Sequence, residues 1–280
     1  AQVRIDASTT GHIAWRNLLI GTNAHGPEST DQVWTAPRAV SAANVTSASG
    51  ESERFLFYRG VGNLDSPLRV ARIGEALELH CAFGDGSTAL RLEHVWLYEM
   101  RPDGQCAFVR AGPIELSDRA RPRTLRGNFG ESDFATSHLD SMKRELRHAL
   151  VSSGLFRDEA DALLNTWESS YFKGVGMRVL FLVPTEWTNR VLPLKLSVPA
   201  TVTRVMVGRV DLLTPTQRDL IRTVATTDDP RLRQNAFSLL GRFGAALMLD
   251  EQRARPNQSL AKFLEDRGIP ARPAPLTPLP

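Results

Sequence analysis

Cysteine is scarce in this sequence: Cys81 and Cys106 are the only two in 280 residues. That excludes a disulfide-dense scaffold and leaves a hydrophobic core to carry the fold, which a chain of this length can build. Long apolar runs are lacking as well, and none approaches the ~18–20 residues of a membrane-spanning helix. Charge of one sign does not dominate. The formal net charge is +3, too little to argue for a nucleic-acid partner. Lysine is confined to Lys143, Lys173, Lys195 and Lys262. The excess of arginine reads more simply as the mark of a GC-rich genome than of a phosphate partner. The strings that announce common chemistries, G-x-S-x-G, H-E-x-x-H, C-x-x-C and the P-loop, are missing. No catalytic residue, metal or cofactor is therefore assigned.

What is present centres on residues 167–213. MRVLFLV at 177–183 is apolar apart from Arg178 and is bounded by Gly176 and Pro184. It is too short for a buried helix and fits a strand covered on both faces. Residues 192–198 alternate, with Leu194, Leu196 and Val198 to one side and Lys195 and Ser197 to the other, which predicts a half-buried strand. Residues 202–210 are rich in β-branched side chains and predict a third. Before this centre, Ser137 heads a helix whose apolar face is Leu139, Met142, Leu146, Ala149 and Leu150. Asp140 resembles the second half of a capping box, and Gly154 lies past the helix end. A second helix over 157–171 completes an αα-hairpin expected to cover the central strands. After the centre, Thr214-Pro215-Thr216-Gln217 is a strong helix start, Asp229-Pro230 repeats the device, and a last helix over 257–267 closes at Gly268.

Strands at 53–58, 68–73, 76–83, 90–100 and 105–111 precede all this, joined by Gly-Asp-Gly-Ser at 84–87 and Pro-Asp-Gly at 102–104. Short strands at this spacing predict an immunoglobulin-like sandwich. The expected class is α+β: an immunoglobulin-like antiparallel β-sandwich over 53–130, followed by a mixed strand and helical part over 131–268. An extended arm at 1–52 and a proline-rich tail at 269–280 flank them. A simple meander puts the two sulfurs roughly 20 Å apart along the sheet, beyond a disulfide's ~7 Å reach between Cα atoms. Both cysteines are expected to be free and mostly buried.

Several residue groups are candidates for chemistry or contact. Tyr58-Arg59-Gly60-Val61-Gly62 and Phe172-Lys173-Gly174-Val175-Gly176 each begin like a dinucleotide fingerprint. Asp65 and Val179 replace the third glycine, so glycine turns feeding strands explain them better. His80, Cys81 and His94 are zinc-ligand types, but neighbours on one strand face opposite sides. Arg119, Arg121, Arg123 and Arg126 form a basic loop that either holds an anionic partner or faces water. Arg272, Pro273, Pro275 and Pro278 match the R-x-x-P-x-x-P pattern of polyproline ligands. Trp15 and Trp34 either anchor the arm to a partner or pack on the protein's own body.

At FLFYRGVG (55–62), and again at W-x-x-S-Y-F, R-V-L-F-L-V-P, L-P-L and R-V-M-V-G-R between 167 and 209, the chain resembles a group of uncharacterised exported proteins from GC-rich bacteria. The resemblance spans about residues 53–215. It implies export and a shared β-plus-helix body, and it brings no activity, cofactor or site residue. Ala1-Gln2 agrees with a mature start behind a cleaved leader. The expected role is a non-catalytic accessory or scaffold subunit of a bacterial envelope or membrane-associated complex, periplasmic or otherwise exported and held to its protein subunits by arm and tail. The alternatives are an enzyme with a pocket between sandwich and helical half, and a carbohydrate- or peptide-binding module on the sandwich loops.

Overall fold

The computed structural model describes residues 10–21, 26–60, 66–81, 89–117 and 121–269. In chain order the elements are β1 (Leu19–Ile20), α1 (Gln32–Arg38), β2 (Val45–Thr46), β3 (Ser52–Glu53), β4 (Leu68–Ile73), β5 (Ala76–Cys81), β6 (Leu90–Leu92), β7 (Val95–Met100), β8 (Cys106–Arg110), β9 (Ile114–Leu116) and β10 (Arg123–Arg126). There follow α2 (His138–Ser152), α3 (Arg157–Thr166), a π-helical turn at Ser169–Lys173, β11 (Gly176–Val183), α4 (Thr185–Val191), β12 (Met206–Leu212), α5 (Pro215–Thr226), α6 (Pro230–Leu239), α7 (Gly244–Ala254) and α8 (Gln258–Glu265).

A four-stranded antiparallel sheet in the order β12-β11-β7-β8 forms the middle of the molecule. Every residue of β11 is buried, as a strand covered on both faces requires. Val95, Leu97, Met177, Val179 and Phe181 pack to one side, against Leu77 and Leu79 of β5 and Leu90, Leu92, Ile114 and Leu116 of the β6–β9 pair. Trp96, Tyr98, Leu180 and Leu182 pack to the other, against Met142, Leu146 and Leu150 of α2 and Ala160 and Leu164 of α3. The αα-hairpin thus covers the central strands as its apolar face predicts. Helices α5 to α8 enclose a separate core around Ile221, Val224, Met248, Leu260 and Leu264.

The immunoglobulin-like sandwich expected over 53–130 is not formed: there are several antiparallel sheets, none closed into a sandwich or barrel. The reason lies in residues 90–100. They split at Glu93-His94 into β6 and β7, which belong to different sheets. Residues 95–98 (VWLY) are buried on both faces, whereas a sandwich strand buries one. This hairpin therefore joins β11, more than seventy residues away, with Leu97 opposite Val179. Strands β4 and β5 instead pair with β10, placing Leu125 opposite Leu77.

Other expectations also change. Residues 192–198 form no strand: α4 precedes them, and Leu194, Leu196 and Val198 are exposed. The third strand begins at Met206, not 202. Ser137 makes no side-chain cap hydrogen bond, so the capping box there is absent. At Thr214 the box is complete: its hydroxyl accepts from the Gln217 backbone N–H, and Gln217 Oε1 accepts from the Thr214 backbone N–H. Asp229 and Asn257 cap α6 and α8 by accepting from backbone N–H groups of the first turn, without the reciprocal bond. The arm is less irregular than its composition suggests. Asp31 caps α1, and the Ser41 backbone N–H donates to Asp158 at 2.8 Å, close to the start of α3. Both cysteines are free, with Cys106 buried and Cys81 half-buried. No described helix is long and apolar enough to cross a membrane.

Candidate functional site

The arm tryptophans meet the aromatic run that follows β3. Trp15 lies edge-on to Tyr58, with ring centroids 5.9 Å apart. Trp34 stacks on Phe55 at 6.1 Å and meets Phe57 edge-on at 5.2 Å. Leu56, Phe57 and Tyr58 nevertheless remain exposed, as do Leu19 and Ile20. Arg123 and Arg126 sit on β10, which the sequence presented as part of a loop. Both are exposed, as is Arg121, and Arg126 pairs with Asp133 at 2.8 Å. The structure does not bring these arginines together with the tryptophans through any described contact. Arg119, Arg272, Pro273, Pro275 and Pro278 lie outside the described residues. His80 sits on β5 beside Glu78 at 3.4 Å. Among the described residues no three His, Cys, Asp or Glu side chains form a metal-binding group.

The most unusual buried group is Arg178, the one charge in the central run. Its side chain is fully enclosed. It donates to the carbonyls of Tyr171 at 3.0 Å, Gly176 at 3.0 Å, and Gly174. Arg178, Tyr98 and Asp211 lie opposite one another across three strands. Burial pushes the guanidinium down to about 10, Arg209 adds to the effect, and Asp211 opposes it. Arg209 itself is paired with Asp211 at 2.5 Å, lies 4.3 Å from the Phe243 ring centroid, and donates to the Ser170 carbonyl. The Tyr98 hydroxyl donates to the Phe172 carbonyl at 2.8 Å. Three side chains of the sheet therefore hold the end of the π-helical turn by its free carbonyls. A π-helical turn often marks a functional site; here the Arg178 and Tyr98 side chains that hold it are fully buried, and the clamp shapes the chain.

A solvent-connected cavity of about 170 Å³ lies where the β6–β7 connection, the end of β11 and the residues before β12 meet the end of α2. His94 is fixed there. Its ring stacks on Trp96 with centroids 5.8 Å apart and planes 9° from parallel, and its Nδ1 lies 3.3 Å from Arg110 Nη2. The backbone carbonyl accepts from the Leu182 N–H at 3.1 Å. Burial and then Arg110 lower the tendency of this imidazole to protonate, while Glu93 opposes them. Sequence reading noticed His94 only as a zinc ligand type. The signal that places it here, stacking on Trp96 two residues along the same strand, was available in the spacing. A second hollow of about 200 Å³ in the arm is lined by the Arg38–Glu53 ion pair and Arg54.

The segment 192–204 forms no helix or strand, bends at 197–198 and lies largely on the surface. Leu194, Leu196, Val198 and Val202 are each about half exposed, at 54%, 52%, 61% and 48%. Thr203 approaches Gly154 in the α2–α3 connection, and Val151 and Phe156 near that connection are exposed too. No family model matches this chain, and comparison with curated proteins and with solved structures returns no match either.

Proposed function

We propose that this protein is an accessory subunit that acts through protein–protein contacts within a larger assembly. One observation carries the reading. Residues 192–198 have the alternation of a half-buried strand, yet they pair with no strand among the described residues and expose their apolar side chains. Apolar surface that a monomer does not cover marks an interaction site. A segment with alternating apolar side chains suits pairing with a strand edge of another protein, whose pockets would take Leu194, Leu196 and Val198. The exposed apolar run Leu56, Phe57 and Tyr58, against which Trp15 and Trp34 pack, provides a second apolar surface for the same purpose. The setting we propose for the assembly is the bacterial envelope, on the resemblance to exported proteins.

The test replaces Leu194, Leu196 and Val198 with serine in the full chain, produced in its native host. Size-exclusion chromatography of the tagged wild type is expected to show an assembly larger than the 31.0 kDa chain, and the triple variant is expected to elute alone. Circular dichroism checks that the variant is folded. A folded variant that stays in the assembly refutes the role of this segment.

A further inference from the structure

The cavity beside His94 is built from four stretches of chain far apart in sequence: the β6–β7 connection, the end of α2, the β11–α4 junction and the residues before β12. Its polar wall is specific. A guanidinium has no acceptor, so the contact with Arg110 makes His94 Nδ1 the acceptor and puts the ring proton on Nε2. The Trp96 beneath that ring is itself fixed by its indole N–H, which donates to Glu145 at 2.9 Å. Arg204 spends one of its five donors on Asn189 Oδ1 at 3.1 Å. Arg91 is held by Glu93 and Glu115. The lining thus carries two guanidiniums, one carboxylate and a neutral imidazole, which leaves one positive charge unspent.

The remaining lining is Leu182, Val183, Pro184 and Val205, which are apolar, with the hydroxyl residues Ser153 and Thr185 beside them. Drug-sized ligands need pockets of about 300–1,000 Å³, so a cavity of about 170 Å³ takes something smaller. We infer that it is a binding site for a small monocarboxylate with a short apolar tail, its carboxylate on Arg204 and His94 Nε2–H and its tail against Val183 and Pro184. A cation is repelled by Arg204, and a phosphate dianion by Glu93. A neutral molecule leaves the unspent charge unanswered. The site stands independently of the subunit role.

The full-length protein is titrated with sodium butyrate while the His94 ring signal is followed by NMR, with His94→Gln used for assignment. A saturable shift, together with a rise in the pH at which His94 protonates, is expected. Arg204→Gln is expected to weaken binding about tenfold or more, since a hydrogen bond to a charged group is commonly worth that much. Arg204→Lys, which keeps the charge and loses the planar fork, is expected to fall between. A shift that does not saturate, an equal response to n-butylammonium, tighter saturation by inorganic phosphate, or unchanged affinity in both Arg204 variants overturns the assignment.

Discussion

Replacing Arg178 with methionine sets two large effects against each other. Holding a guanidinium in this interior lowers its pKa from the ordinary arginine value to about 10, which is on the order of 3 kcal/mol against the charged form. Methionine removes that cost and keeps much of the apolar stem. It also orphans the carbonyls of Tyr171, Gly174 and Gly176. Each buried carbonyl left without a donor costs about 1–3 kcal/mol, so the three together amount to roughly 3–9 kcal/mol. The difference is a net loss of about 0–6 kcal/mol, with about 3 kcal/mol in the middle of that range. Urea denaturation gives the magnitude, and amide hydrogen exchange over 169–176 shows where it falls. Protection is expected to drop first in the π-helical turn, which the sheet otherwise holds through the Tyr98 hydroxyl and Arg209. Arg178→Lys keeps the charge but concentrates its donors at one point, and is expected to lose stability too. Wild-type stability in Arg178→Met, with unchanged exchange over 169–176, would refute the clamp and leave Arg178 as a tolerated liability.

Gly208→Ala brings a Cβ to 2.4 Å from the Phe181 ring and is expected to cost about 1–3 kcal/mol by overpacking. Phe181→Leu in the same chain is expected to restore part of that loss in a thermal melt, and an unshifted melt in the single variant rules out the close packing. Leu180→Asp buries an unpaired carboxyl between Trp96 and α2 and is expected to destabilise by several kcal/mol. Val205→Asp is expected to be milder, because Val205 is half-buried and precedes β12; wild-type midpoints in both variants would remove the central-strand reading. Thr214→Ala removes the hydroxyl that accepts from the Gln217 backbone N–H, while the backbone N–H at 214 can still donate to Gln217 Oε1; a loss of about 1 kcal/mol in urea denaturation is expected, and stability identical to wild type would deny the hydroxyl cap any weight. His94 resists protonation in the fold, through burial and Arg110. The unfolded chain therefore takes up the proton first as pH falls below 6.5, and stability declines from there downward. Arg110, Glu93 and His148 are the charged neighbours. His94→Gln is expected to flatten that part of the pH profile, and an unchanged acid slope would show that His94 is not its source.

Signals confined to a few neighbouring residues were legible in the sequence. Thr214-Pro215-Thr216-Gln217 fixes a helix start because the cap closes within four residues. Gly154 and Gly268 mark helix ends because a left-handed residue is needed there, at φ of 109° and 71°. The apolar face of α2 is a repeat that only a helix satisfies. The seven-residue helix α1 was not legible. Proline stands inside it, and it owes its stability to packing against α3 more than to any pattern of its own.

Pairing across long stretches of sequence was the part the residues concealed, and it is also what builds both sites. The turn at 102–104 keeps β7 beside β8, as its residues suggest, while 84–87 lies outside the described residues. The other neighbour of β7 is β11, because Trp96 and Tyr98 require an apolar layer opposite to the one that buries Val95 and Leu97. The run VWLY carries that information in the same form as MRVLFLV, which was read correctly as buried on both sides. Two such runs in one chain are better satisfied beside each other, in one sheet between two layers, than in separate domains. Once β7 lies against β11, Tyr98, Arg178 and Asp211 fall into one row and His94 comes up to Leu182, so clamp and cavity follow from a single pairing. Arg178 is then the residue whose charge argues against a strand interior, and its three carbonyl partners explain why the interior tolerates it.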